Sequence, residues 1–244
     1  MNTETIYDLE LNGNNFQASQ SDKILVKLKP HQLTSLYKAI EMENNGAINY
    51  KLHDIYHITD TIMTANSEDE LYTKVKIGTN IGILGDMVGY GKTLIALSLI
   101  ATNDVNNIYI NPNYIKHYNN HRNYNYLNIS VSNTLVQKDD NIINSTLIIV
   151  PRGPVYVQWE KTIMANTKLK VLSVSNFNFI KSNLPKYNGT NKREIFNYFE
   201  KYDIVLIKNT TFKTLYNNYY APNILKSWKR IMIDEAHDIM HQIP

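Results

Sequence analysis

The residues best equipped for chemistry in this 244-residue chain fall into two short runs, Gly85-Asp86-Met87-Val88-Gly89-Tyr90-Gly91-Lys92-Thr93 and Asp234-Glu235-Ala236-His237. Gly89 and Gly91 let backbone N–H groups curl around phosphate oxygens, the Lys92 ammonium can neutralise the β and γ phosphates, and the Thr93 hydroxyl can hold Mg²⁺. Asp86, Met87, Val88 and Tyr90 complete the cradle. In the second run Asp234 can hold Mg²⁺, directly or through water, while Glu235 can orient and deprotonate an attacking water. Read together, the two runs describe one site for ATP and Mg²⁺. Each run also has a bland reading: a glycine-rich turn before a core helix, and an acidic pair on a solvated turn. Asp86 stands where the generic phosphate loop carries its first glycine.

Such a site has to be positioned by particular elements. Ile81-Gly82-Ile83-Leu84 reads as a short buried strand before the loop, and Thr93 to Ala101 as an apolar helix after it. Phosphates would then lie on a helix N-terminus, where free N–H groups and the helix dipole favour anions. The apolar run Ile231-Met232-Ile233 delivers Asp234 and Glu235 to the C-terminal end of a strand, the edge at which open α/β sheets bind ligands. Between these motifs, strands are expected at Thr146 to Val150, Leu169 to Val174 and Asp203 to Ile207, with helices at Pro154 to Ala165 and Lys192 to Lys201. Apolar strands separated by helix-length segments imply a doubly wound, mostly parallel α/β sheet with helices on both faces.

Composition bounds the possibilities. The chain is 43% hydrophobic and 19% charged with a net charge of +3, which describes a globular protein that permits nucleic acid as a partner without demanding it. It has no cysteine, so disulfides, thiol catalysis and cysteine-ligated zinc are excluded within these residues. Met1-Asn2-Thr3-Glu4-Thr5 is polar and acidic, unlike a secretory leader, and no apolar run has the length of a membrane span. The expected setting is the aqueous interior of a cell, nucleus or cytoplasm, with no membrane partner. Abundant Asn, Ile, Tyr and Lys suggest an AT-rich genome. That bias peaks at about 103–145, expected to be a polar, solvated surface insertion whose side chains compete with regular structure.

The pairs His53/His57 and His117/His121 have a spacing that can face a metal from a helix, but neither has a third ligand in view, and incidental histidines are the preferred reading. Trp159 and Trp228 read as packing residues beside core elements.

The order of segments resembles the first RecA-like motor domain of superfamily 2 helicases and translocases, the DEAH-box wording being closest to the Swi/Snf-like branch. Leu28-Lys29-Pro30-His31-Gln32 is similar to the adenine-reading element upstream of the phosphate loop, and the acidic start of the family's first motif accounts for Asp86. Thr146 to Pro151 followed by Gln158-Trp159, Tyr202 to Ile207, and Asp234 to His237 resemble its later motifs in order. Met87, Val88 and Tyr90 depart from its usual Glu-Met and Leu.

The resemblance implies an N-terminal extension at 1–27, an ATP-binding domain at 28–244, and a role for Gln32 in reading adenine. It implies that His237 relays nucleotide state, and that Pro151, Arg152 and Gly153 with Lys208, Asn209 and Thr210 touch a sugar-phosphate backbone. Double-stranded DNA is the favoured partner, with RNA as the alternative. The family's second RecA-like domain, which brings an arginine finger, lies outside these residues and is expected from elsewhere, in cis or in trans. Related ATPases of large DNA viruses serve transcription, which makes a virion or viral factory a further expected setting. A noncatalytic nucleotide-binding scaffold is the competing reading, and a P-loop kinase a distant third.

Overall fold

The computed structural model describes residues 15–45, 47–52, 73–78, 82–102, 109–121, 124–136, 142–218 and 228–236. In chain order the elements are α1 (Pro30–Asn45), β1 (Ala47–Leu52), β2 (Thr73–Gly78), α2 (Lys92–Thr102), β3 (Tyr109–His121), β4 (Tyr124–Val136) and β5 (Ile143–Val150). There follow α3 (Pro154–Asn166), β6 (Val171–Val174), α4 (Phe177–Asn183), α5 (Lys192–Phe199), β7 (Ile204–Lys208), α6 (Asn209–Asn218) and β8 (Trp228–Ile233). They divide between two compact units, Met1–Lys38 with Gly85–Val105 and Asp139–Pro244, and Ala39–Leu84 with Asn106–Lys138.

The first unit is built on a four-stranded sheet in the order β6-β7-β5-β8, with all three pairings parallel. Parallel neighbours need crossover connections, and α3 with β6, then α4, α5, β7 and α6, supply them. A central strand of such a sheet is covered on both faces, so it must be apolar along nearly its whole length. Accordingly β5 is buried at every position except Asn144, and β7 is buried from Ile204 through Ile207. One face of the sheet, with Leu147, Ile149, Val205, Ile207, Leu172 and Val174, packs against Ile180 of α4, Ile195, Phe196 and Phe199 of α5, and Leu215 of α6. Tyr156, Trp159 and Ile163 bury one stripe of α3, as an amphipathic crossover helix requires. This is the α/β, RecA-like architecture that the alternation of strands and helices implies.

Local signals explain the helix boundaries. Pro154 occupies the first turn of α3, where its missing N–H costs nothing, behind Gly153 at a φ of 89°. Asn176 caps α4 by accepting from the Phe179 N–H at 2.9 Å. At the start of α1, Pro30 sits in the first turn and Gln32 Oε1 accepts the Lys29 N–H at 2.8 Å. This is the return half of a capping box.

The second unit holds two antiparallel pairs, β1 with β2 and β3 with β4. The latter runs without a register break from Tyr109 opposite Val136 to His121 opposite Tyr124. The solvated loop expected at about 103–145 is therefore corrected: at 109–121 and 124–136 this segment is a long β-ribbon. Alternating Tyr, Ile, Leu and Val among the asparagines carry the β propensity that the polar composition masked. His117 and His121 lie along β3 opposite Asn128 and Tyr124, so four positions separate them by about 13 Å and the helical metal spacing does not apply. His53 and His57 lie outside the described residues. No described helix is long and apolar enough to cross a membrane.

A second correction concerns the segment before the phosphate loop. Residues 82–84 are not in a strand, and Ile83 is 91% exposed rather than buried. An apolar run becomes a buried strand only where ladder partners satisfy its N–H and C=O groups, and these residues have none among the described strands.

Candidate nucleotide site

The loop 85–93 is shaped by its glycines. The Tyr90 N–H donates to Met87 O at 3.3 Å, closing a turn whose third residue, Gly89, has a φ of 89°. This is the position at which a type II turn demands glycine. Gly91, at a φ of 85°, then leads into α2 by accepting the N–H groups of Leu94 and Ile95 at 2.9 and 3.2 Å. Gly91 has a second reason to lack a side chain, since a Cβ there would collide with Gln32 Nε2.

The N-terminal end of α1 holds this loop from the other side. Gln32, only 5% exposed, donates from Nε2 to Tyr90 O at 3.3 Å, and His31 Nε2 lies 3.2 Å from the same oxygen. The His31 and Tyr90 rings meet edge to face at 5.4 Å. Gln32 thus ties two segments together through backbone bonds on both ends of its amide. His31 is a loop-supporting residue that sequence reasoning passed over; its place directly before Gln32 was the available signal.

Lys92 begins α2, but its ammonium is turned onto its own loop, donating to Asp86 O at 2.7 Å and Met87 O at 3.1 Å. No hydrogen bond or ion pair joins it to Asp234. Asp86 Oδ2 is buried without a hydrogen-bond partner among the described residues. Val88 is 97% exposed and Met87 is also exposed, while Thr93 is half-buried on the first turn of α2.

Asp234 is placed by the sheet. Its N–H donates to Ile149 O at 2.9 Å, continuing the ladder between β5 and β8 one residue past the strand end. Its carboxylate is then fixed through both oxygens: Oδ2 accepts the Trp159 indole N–H at 2.7 Å, and Oδ1 accepts the Glu235 N–H at 3.1 Å. Trp159, read from sequence as a packing residue, is 6% exposed and does pack, but it also orients the acid that was assigned to metal. Its position after Gln158, in the segment that follows Thr146 to Pro151, carried that information only by resemblance. Trp228 remains a packing residue, buried against Phe199 at 5.1 Å between ring centroids. Glu235 is exposed and holds a φ of 50°, the left-handed region that a non-glycine residue rarely adopts. His237 lies outside the described residues.

The residues assigned to nucleic acid stand at the C-terminal ends of β5 and β7. Pro151, Arg152 and Gly153 link β5 to α3, with Arg152 and Gly153 exposed. Lys208 ends β7, and its ammonium lies 4.7 Å from the centre of the Tyr156 ring. Burial pushes the Tyr156 hydroxyl up to about 12, tempered by Ser173 and reinforced by the Glu160 carboxylate, so Lys208 rests on a neutral ring at any ordinary pH. Lys208 passes directly into α6, whose first turn contains Asn209 and Thr210.

These residues suit a magnesium nucleotide. Among the described residues the N–H groups of Gly89, Gly91, Lys92 and Thr93 have no acceptor, at the start of a helix where such donors attract phosphate. Among the described residues no atom lies within 4 Å of where a Cβ on Gly85 or Gly89 would stand, so the space beside the loop at these two positions is open. The two carbonyls that hold Lys92 are replaceable by phosphate oxygens of higher charge.

Residues 15–242 match the SNF2-related domain, which takes in the loop, the parallel sheet and the Asp234 carboxylate alike. No curated protein matches the chain. The chain belongs to the family of SNF2-related domains, motor domains of superfamily 2 whose members are ATP-dependent translocases.

Proposed function

We propose that residues 28–244 form the ATP-binding half of a nucleic-acid translocase that acts on double-stranded DNA, in remodelling or in viral transcription. The observation that carries this reading is the pairing of a glycine-shaped loop, whose N–H groups have no acceptor among the described residues, with a sheet-end carboxylate whose two oxygens are already oriented. Lys92 neutralises phosphate charge once released from the Asp86 and Met87 carbonyls. Thr93 and Asp234 would hold Mg²⁺, which when bound neutralises charge on the phosphates. Glu235 takes a proton from the attacking water, its left-handed backbone turning it away from the strand direction. Gln32 keeps one amide hydrogen and one lone pair for adenine beyond those used on Tyr90 O and Lys29 N. Asp234 to His237 act as a DEAH motif, with His237 coupling nucleotide state to the rest of the motor.

Nucleic-acid backbone is held by Arg152 and Gly153 beside Pro151, and by Lys208, Asn209 and Thr210. These contacts position the protein on its track without reading base sequence. Full turnover requires a second RecA-like domain, in cis or in trans, whose arginine finger contributes about 10³ to 10⁵ in rate in comparable phosphoryl-transfer enzymes. The protein works in the aqueous interior of the cell or in a viral factory.

The test is ATPase turnover of the full-length protein with duplex DNA, single strands and RNA as competing stimulators, beside Lys92→Ala and Glu235→Gln. Turnover that duplex DNA stimulates most, and that both substitutions abolish, is the expected result. Unchanged turnover in both variants overturns the site assignment. Tight ATP binding without turnover under any condition favours the noncatalytic scaffold.

A further inference from the structure

The phosphate loop meets α1 through two aromatic rings that the bracing of the loop does not require. Tyr90 supplies the side chain between Gly89 and Gly91, and its ring meets that of His31 edge to face, with centroids 5.4 Å apart at 64°. The brace itself uses only the Tyr90 carbonyl oxygen, which His31 Nε2 and Gln32 Nε2 reach at 3.2 and 3.3 Å. Any residue at position 90 would offer that oxygen. Burial does not account for the rings either, because an aromatic side chain stabilises a fold in proportion to the area it removes from water. Both residues stay exposed, Tyr90 by 48%.

The geometry leaves ring faces available. Tyr90 O can only accept, so His31 Nε2 carries the hydrogen, and that bond together with the ring contact fixes the plane of the imidazole. In an edge-to-face pair the ring presenting its edge keeps both faces free, and its partner keeps one. Among the described residues no cation rests on either ring, and no atom lies within 4 Å of where a Cβ on Gly89 would stand beside Tyr90. The rings also lie at the appropriate end of the ligand. With the γ phosphate assigned to Asp234 and Glu235, and the phosphate chain to the loop N–H groups, the nucleoside is left to the flank that α1 holds. There Gln32 has one amide hydrogen and one lone pair to offer.

We propose that Tyr90 and His31 form a stacking seat for the base of the bound nucleotide, so that holding a base and choosing adenine fall to different residues. The proposal rests on the nucleotide reading above and extends it to the side chains that cover the base. Gln32 is 5% exposed and has too little free surface to cover a base itself. Its hydrogen bonds replace bonds to water and contribute little net affinity unless the base is also removed from solvent. The two rings provide that cover, and they do so without regard to base edges, because every base has a π-face.

Isothermal titration calorimetry on the 244-residue chain in Mg²⁺ measures three ligands: the nonhydrolysable imido analogues of ATP and of GTP, and inorganic tripolyphosphate, which has phosphates and no base. Tyr90→Leu removes the ring and keeps the carbonyl that receives the brace. Tyr90→Phe keeps the ring, and His31→Gln exchanges the imidazole for an amide donor. The thermal midpoint of each variant reports folding, and where leucine lowers it, His31→Gln carries the same comparison.

We expect Tyr90→Leu to weaken both analogues by one common factor, between about 5- and 100-fold, with tripolyphosphate affinity within about twofold of wild type. Tyr90→Phe should regain the affinity that leucine loses, and His31→Gln should show the same pattern with a smaller factor. Equal losses for the analogues and tripolyphosphate overturn the seat, because the side chain then only shapes the loop. A loss confined to the ATP analogue also overturns it, since that marks reading of base edges rather than stacking. So does unchanged affinity for both analogues in Tyr90→Leu. In these three cases the wild-type chain still binds nucleotide, and the nucleotide reading stands. A wild-type chain that binds none of the three ligands overturns the nucleotide reading and the seat with it.

Discussion

The two halves of the candidate nucleotide site reach their geometry by different physics. Asp234 is an extension of the sheet, held by a ladder hydrogen bond to Ile149 and by the buried Trp159 indole. The loop bearing Lys92 owes its shape to two left-handed glycines, a few bonds to its own carbonyls and a brace from Gln32 and His31. The carboxylate half is therefore preorganised before any ligand arrives, and the phosphate half is closed upon itself. A site divided in this way should bind metal and phosphate with separable sensitivities, because damage to one half leaves the other standing.

The largest effect should come from the sheet. Ile207→Ala, at a fully buried position of β7, should lower unfolding free energy by about 2–5 kcal/mol, read as a drop in denaturant midpoint. Equal stability in that variant would remove the premise that the sheet carries Asp234. Next is Lys92→Ala, which should weaken ATP-analogue binding about 10- to 100-fold, the value of one or two charge-assisted bonds, while the thermal midpoint moves little. A large fall in stability there would show that the loop supports the fold after all. Trp159→Phe should raise the Mg²⁺ concentration needed for half-maximal nucleotide binding several-fold, leaving metal-free nucleotide binding unchanged, since it deletes the donor to Asp234 Oδ2 and little else. An unaltered Mg²⁺ titration would reduce Trp159 to packing. Smallest is Val88→Ala, at a side chain 97% exposed, expected within about 0.5 kcal/mol of wild type in stability and without effect on nucleotide affinity.

The parallel sheet was legible because apolar runs such as Thr146 to Val150 and Asp203 to Ile207 are continuous and separated by helix-length segments. Burial on both faces writes that pattern directly into the sequence. The observed strands and helices lie within three residues of those expectations. Ile81 to Leu84 has the same apolar wording, yet Ile83 is exposed, because composition states what a segment would bury and not whether neighbours exist to cover it. The β3–β4 ribbon failed in the other direction: asparagine-rich wording reads as loop, while antiparallel pairing depends on a partner strand that local composition does not reveal.

At the candidate site, Lys92, Thr93, Asp234 and Glu235 stand out by residue type and spacing alone, since few side chains can meet phosphate and magnesium. What they touch does not. The Trp159–Asp234 bond joins residues 75 positions apart, and the Gln32–Tyr90 bond joins residues 58 apart. Contacts of that kind exist only once the chain has folded.

The sequence by itself determined the α/β sheet and the residue types offered at the candidate nucleotide site, a glycine-rich loop with a lysine and a carboxylate pair, because those properties are local to residue type, spacing and periodicity. Tertiary structure alone decided the strand order β6-β7-β5-β8, the fixing of Asp234 through both oxygens, and the turn of Lys92 onto its own loop. Those depend on which distant segments become neighbours, a choice made by the free energy of burying both faces of one sheet at once.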